Sequence, residues 1–324
     1  MLLAGDVGGT KTLVGLFAGG APRPRAVQTE SFRTLEFPDL TSLVAAFLRQ
    51  CGCDAREIDG ACFGVAGPVK DGCARLTNVP WVVNASAIGR DLPVRRADVI
   101  NDLEALAWSV PVLERSEIEV LSEGKPDAAG AAALIAAGTG LGMALLPKTA
   151  GRLIPVPSEG GHADFAARSN AEEILREALT REFGRADLEQ VLSGPGLVNI
   201  HRYVYPHECA TVSNAAEGAE LPALITQAAL QDRCPECRRS LELFVSIYGA
   251  ATGNLALTAL ATGGVFLGGG IAPRILEALR WPVFLDAFWS KAPLDALMRQ
   301  IPVNVILNPE AGLVGASAFA AAHQ

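Results

Sequence analysis

Asp6-Val7-Gly8-Gly9-Thr10-Lys11-Thr12 is the stretch on which the fold of this 324-residue chain turns. It lies between a short apolar run, Leu2 to Gly5, and an alternating one, Leu13 to Phe17. Two adjacent glycines let the backbone turn tightly and bring its N–H groups against an anion, while a hydroxyl and an ammonium at the next two positions complete the grip. The reading is a phosphate-gripping turn inside a β-hairpin. The plainer alternative is a hairpin turn with no ligand, and agreement elsewhere in the chain decides between them.

Working outward, a helix is expected near Leu40 to Arg49, a strand at Gly60 to Val65 ending in Gly67-Pro68, and another at Asp98 to Ile100. Strands alternating with helices predict a mainly parallel or mixed sheet with helices packed on it. From Ala131 to Thr139 a small-residue strand runs into Gly138-Thr139-Gly140-Leu141-Gly142 and then Met143 to Leu146, a second hairpin of the opening kind. A third glycine turn, Gly263 to Gly270, delivers an apolar strand into Gly268-Gly269-Gly270 and then a helix after Ile271-Ala272-Pro273-Arg274. No Walker A sequence is present, nor GxGxxG at a strand-to-helix junction, which disfavours ordinary P-loop and Rossmann sites. The expected architecture is two similar lobes with a nucleotide in the cleft between them. The small lobe spans 1–112 and is completed by 303–324, where Ile301 to Leu307 reads as a strand and Gly312 to Ala322 as a small-residue helix; the large lobe spans 113–302.

Composition narrows the function. Half the residues are hydrophobic and 19% are charged, which describes a packed α/β protein and not a disordered one. A net charge of -8 with scattered basic residues argues against a nucleic-acid partner. No apolar run approaches the roughly 20 residues of a membrane helix. Asp6 and Lys11 interrupt the N-terminus where a secretory signal needs an unbroken apolar core, so the cytoplasm is expected.

Seven irregularly spaced cysteines read as reduced thiols. Cys234-Pro235-Glu236-Cys237, with His207 and Cys209, could supply four zinc ligands on paper. A single CxxC is a weak signal, however, and Arg238-Arg239 followed by an apolar-periodic stretch suggests that the pair simply opens a helix. No metal site is expected. His201, His207 and His323 read as ordinary surface or core histidines.

Asp102 follows the strand Val99-Ile100 and precedes the helical run Leu103 to Trp108. Asn101-Asp102 serves as a helix cap in the plain reading. In the functional one Asp102 accepts a proton from an attacking hydroxyl as a phosphoryl group arrives. Ser158-Glu159-Gly160-Gly161-His162-Ala163-Asp164 sets a carboxylate and an imidazole around two glycines, a density of donors and acceptors suited to a polyhydroxylated ligand. A metal on His162 and Asp164 is the rival, disfavoured because no HExxH spacing or nearby cysteine accompanies them. Glu189 precedes Gln190-Val191-Leu192-Ser193-Gly194-Pro195-Gly196, read as a tight loop before a helix from Leu197 to Tyr203.

Taken together, these motifs resemble the bacterial glucokinases of the family that lacks the zinc-binding cysteine cluster of repressor-type sugar kinases. The resemblance covers essentially the whole chain: Gly5 to Thr10, Ile100-Asn101-Asp102, Gly138 to Gly142, Glu159 to His162, Leu192 to Asn199, and Gly264 to Pro273. It implies the actin-like (ribonuclease H-like) ATPase fold and ATP-dependent phosphorylation of the glucose 6-hydroxyl, the first step of glycolysis, with Mg2+ as the ion. Asp102 would be the general base, and Asn101, Glu159, His162 and Glu189 would join it in holding glucose. Gly5, Asp6, Val7, Gly8, Gly9, Thr10, Gly138, Thr139 and Gly140 would face the ATP phosphates, and Gly268, Gly269 and Gly270 would lie near the adenosine. A homodimer is implied by family habit. Ser158 stands where a glycine is common, and Lys11 at a variable position. The rival functions are a kinase for another hexose or an N-acetylated amino sugar, and a non-catalytic sugar sensor.

Overall fold

The computed structural model describes residues 1–20, 22–76, 79–205, 209 and 220–323. The chain divides into two compact units, Met1–Arg115 with Asn308–Gln324, and Ser116–Leu307.

The first unit is built on β1 (Leu2–Val7), β2 (Lys11–Ala18), β3 (Arg25–Arg33), β4 (Gly60–Val65) and β5 (Ala97–Asn101), in the spatial order β3-β2-β1-β4-β5. The β1, β2 and β3 strands pair antiparallel, whereas β1, β4 and β5 run parallel. Side chains alternate across the two central strands. Leu3, Val7, Ala61 and Phe63 share a core with Leu43, Val44 and Phe47 of α1 (Leu40–Cys51). Leu2, Ala4 and Cys62 share another with Leu313, Ala316 and Ala320 of the C-terminal helix (Ala311–Ala322). Central strands covered on both faces need apolar residues at every position, and β4 is buried throughout. The α1 helix starts where Asp39 accepts the Ser42 N–H at 2.7 Å and stops at the left-handed Gly52.

The C-terminal helix packs against α2 (Asp102–Ser109) and β1. A Cβ at Gly315 would overlap the Ala105 carbonyl of α2, so the small residues there set how closely the two helices approach.

The second unit is built on β6 (Ile118–Ser122), β7 (Ala132–Ala137), β8 (Leu141–Leu146), β9 (Val156–Ser158), β10 (Gly264–Gly268) and β11 (Val303–Ile306), ordered β9-β8-β7-β10-β11-β6. The β7 and β8 strands form the second hairpin, β9 adds antiparallel to β8, and β10 and β11 follow β7 in parallel. This repeats the first sheet strand for strand, with β6 added at one edge. Two helices matter for the site, α3 (Gly194–Val204) and α4 (Pro235–Ala259), whose Leu241, Phe244, Val245 and Tyr248 fill the core beside Ile135, Val265 and Leu267.

Two sequence expectations differ from the structure. A boundary at 302/303 would cut β11 from its sheet: Val303 to Val305 pair with β10 and belong to the second unit. Gly194-Pro195-Gly196 is not a loop before a helix but the first turn of α3. The Ser193 hydroxyl accepts the Gly196 N–H at 3.0 Å, and proline needs no N–H partner in a first helical turn.

Candidate active site

The first glycine turn is anchored from within its own unit. Gly8 N–H donates to Lys11 O at 3.0 Å, and a Cβ at Gly8 would lie 2.9 Å from that same carbonyl oxygen. The Thr34 hydroxyl donates to Gly8 O at 2.8 Å and meets the Thr12 hydroxyl at 2.9 Å, while Thr34 N–H reaches Thr10 O. Thr34 therefore grips both ends of the turn. Gly5 packs on Phe63, and the Val7 side chain lies in the core, so at both positions only backbone is left to face a ligand. Thr10 and Lys11 are exposed.

Beneath this turn lie two carboxylates. Asp6 is the one half-buried residue of β1, between buried Gly5 and Val7, and a Cβ at Gly312 of the C-terminal helix would stand 2.8 Å from its Oδ2. Burial, then the charge of Asp102, push the Asp6 carboxyl up to about 6, with Lys11 pulling the other way. The cap role that sequence left open for Asn101-Asp102 falls to Asn101, whose Oδ1 accepts Leu103 N–H at 2.9 Å and whose Nδ2 donates to Gly67 O. Asp102 occupies the next position. Its surface is solvent-accessible, yet enough protein surrounds it that desolvation raises its carboxyl above the ordinary range, against a 2.8 Å bond from Leu103 N–H.

In the second unit, the segments around Glu159 and Glu189 are zipped together by backbone bonds. Phe165 N–H donates to Ala186 O, Leu188 N–H to Ala163 O, and Glu189 N–H to Gly161 O, at 2.9–3.0 Å. Glu159, exposed, and His162 are thereby brought beside Glu189. His162 Nδ1 lies 3.3 Å from Asp187 Oδ2, and Asp187 is itself held by reciprocal bonds with Gln190. Ser158, the departure from the usual glycine, accepts Gly160 N–H at 3.1 Å.

This assembly sits on the second glycine turn. A Cβ at Gly161 would overlap Leu141 O, and Glu189 Oε2 accepts Leu141 N–H at 2.9 Å. A Cβ at Gly140 would stand 2.5 Å from the same Oε2. On its other side the turn opens to a cavity of 1270 Å³ lined by Gly138, Thr139, Gly194, Asn199, Gly270 and Arg274 among others. Gly194 N–H donates to Gly138 O at 2.9 Å, joining the start of α3 to the turn. Of the third glycine run only Gly270 lines this cavity: Gly268 is buried in β10, and Gly269, at φ 79°, folds back on the Ala137 carbonyl.

Sequence reasoning missed Thr34, Asp187, Asn199, Arg274 and Gly312. Leu192 to Asn199 carried a motif that could have drawn Asn199 in; the other four had no local signal.

Sheets of this order, each carrying a glycine hairpin, are the fold of known sugar kinases. A glucokinase from an Antarctic psychrotroph superposes with a TM-score of 0.86 at 30% identity, covering 98% of both chains. A glucokinase of the ROK family from Streptomyces griseus, solved with glucose and AMPPNP, shares the fold at 20% identity and a TM-score of 0.63, covering 98% of both chains. Glucokinase from Synechocystis sp. is 36% identical over 98% of this chain and 97% of its own. The profile of the Glucokinase family matches residues 3–323, and the chain belongs to that family.

Proposed function

We propose that this protein transfers the γ-phosphoryl group of ATP to the 6-hydroxyl of glucose, with Asp102 as the general base. One observation carries the reading. A single glycine turn has a carboxylate and imidazole cluster suited to sugar hydroxyls on one side, and on the other a cavity of 1270 Å³, ample for a nucleotide.

In this reading Glu159, His162 and Glu189 take sugar hydroxyls, with Asp187 orienting the His162 ring. Glu189 Oε1 has no hydrogen-bond partner among the described residues, so Glu189 can accept from a hydroxyl while Oε2 holds the turn. Asn101 would join them, its amide already oriented by Gly67. Gly138, Thr139 and Gly270 would line the nucleotide, and the N–H groups of Gly9 and Thr10 would meet its terminal phosphates, while the Gly8 N–H holds the turn closed on Lys11 O. Gly5, Val7, Gly268 and Gly269 would serve by backbone shape.

An alcohol is too weakly acidic to attack unaided. A carboxylate whose basicity is raised by desolvation is a better proton acceptor than one in water, and Asp102 would take the O6 proton as the new bond to phosphorus forms. The residues also fit Mg2+: Asp6 is a half-buried carboxylate crowded by a second, and a divalent cation would relieve both. Bound there with ATP, Mg2+ would supply positive charge to the phosphoryl oxygens.

The two units would act as the two lobes, the first bringing Asp102 and the second the sugar loop, with substrates held in a cleft. Cytoplasmic residence and a homodimer complete the proposal; no described helix is long and apolar enough to cross a membrane. A coupled assay with glucose and Mg-ATP, run beside Asp102→Asn, tests it. Turnover on glucose that disappears in the variant while glucose still binds is the expected result, and an equally active variant would remove the base assignment.

A further inference from the structure

The cysteine pair at Cys234 and Cys237 does open a helix: Cys234 caps α4, and its sulfur accepts Cys237 N–H at 3.3 Å. The same sulfurs, however, are part of a larger cluster. Cys209 Sγ lies 2.8 Å from Cys234 Sγ and 3.5 Å from Cys237 Sγ. A ring nitrogen of His201, on α3, and the sulfurs of Cys209 and Cys237 all lie within 4.8 Å of one another. All four residues are buried. They come from three places in the sequence: α3, the segment holding Cys209, and the first turn of α4. His207, the histidine that sequence reasoning placed in such a site, lies outside the described residues.

We propose that His201, Cys209, Cys234 and Cys237 form a structural zinc site. Thiolate and imidazole are the ligand types zinc prefers, and four of them complete a tetrahedral shell with no open position. At a Zn–S distance of about 2.3 Å, tetrahedral geometry separates sulfurs by about 3.7 Å. The Cys209 to Cys237 spacing already stands close to that, whereas Cys234, 2.8 Å from Cys209 and outside the trio that lies mutually within 4.8 Å, must turn its sulfur to become the fourth ligand.

The histidine is prepared for the role. Ser240 Oγ donates its own proton to Glu236 O at 2.7 Å, so it can only accept from His201 Nδ1, 2.9 Å away. Nδ1 therefore carries the proton and Nε2 keeps its lone pair for the ion, the second-layer arrangement usual for metal-bound histidine. Zinc would bind as the three thiols release their protons to solvent.

A disulfide between Cys209 and Cys234 is the competing use of the short contact. It would leave Cys237 and the oriented imidazole without a purpose at the same point. Zinc uses all four groups and ties α3 to α4, both of which contribute to the cavity wall.

Metal analysis of the protein purified under reducing conditions without added chelator tests the idea, followed by Co2+ titration of metal-free protein. Expected are about one zinc per chain and a Co2+ spectrum with intense tetrahedral bands and a thiolate charge-transfer band. Cys237→Ser should lose the charge-transfer intensity in proportion, and Ser240→Ala should weaken Co2+ affinity about 10–100-fold while retaining the spectrum. Wild-type protein with no zinc and no tetrahedral cobalt spectrum would overturn the proposal whether or not any variant folds. So would a Cys209 to Cys234 disulfide found by mass spectrometry of freshly purified protein, or a cobalt spectrum indifferent to Cys237→Ser.

Discussion

The two glycine turns occupy equivalent places in two sheets of the same strand order, and each spans the gap between a first and second strand. They are held differently. The first is fastened by neutral hydroxyls, through Thr34 and Thr12, and has two carboxylates beneath it. The second is fastened by a carboxylate, Glu189, and by the first turn of α3. A repeated scaffold has thus been given unlike chemistry: a pair of desolvated acids in the first unit, and in the second a turn whose support is itself a proposed sugar ligand.

The comparison can be broken at four points. Asp102→Asn should have the largest effect, lowering kcat about 10²–10⁴-fold with glucose binding kept, measured by coupled assay and calorimetry. In the wild type, the acid limb of kcat/KM should lie above the ordinary carboxylate value of 3.8, following the raised Asp102 and Asp6 carboxyls.

Asp6→Asn should lower activity yet stabilise the fold. A carboxyl raised from 3.8 to about 6 contributes stability below pH 3.8 and loses it as pH rises through about 6. The variant lacks that loss, so denaturant melts at pH 7.5 should find it more stable by roughly 3 kcal/mol, with no gain at pH 3.5. A variant less stable at pH 7.5 would contradict the burial of an ionised Asp6 beside Asp102.

Gly140→Ala and Gly138→Ala form the third test. At Gly140 the new methyl would displace Glu189 from Leu141 N–H, at about 2 kcal/mol, and raise the KM for glucose. At Gly138 it meets nothing within 4 Å and projects from the cavity wall, so the KM for ATP should rise while stability is unchanged. Equal effects of the two on both substrates would refute the two-sided turn. The smallest change is Thr34→Val, which should cost about 1 kcal/mol in denaturant unfolding and loosen only the first turn.

Much of this could be read in advance where the signal was local. Both hairpins announced themselves as glycines between apolar runs, and Asn101-Asp102 as a strand passing into a helix. Where cause lay in tertiary packing, sequence was silent. Thr34 sits among exposed neighbours and is 26 residues from the glycine it anchors. Asp187 meets His162 across 25 residues, through a backbone zipper that no periodicity reveals. The start of α3 was misread because Pro195 and its flanking glycines outweighed the Ser193 cap. His201 passed for an ordinary histidine since its neighbours in space, Ser240 and the cysteines, are remote in sequence.

The helix that backs Asp6 ends the described chain, although the strand bearing Asp6 begins it. On the ribosome, the strand bearing Asp6 must wait for residues Ala311–Ala322 before that carboxylate acquires its wall. The whole second unit is by then synthesised and able to fold. Catalytic competence would therefore arrive at a single late moment, and a nascent chain carrying both glycine turns would still be unable to spend ATP.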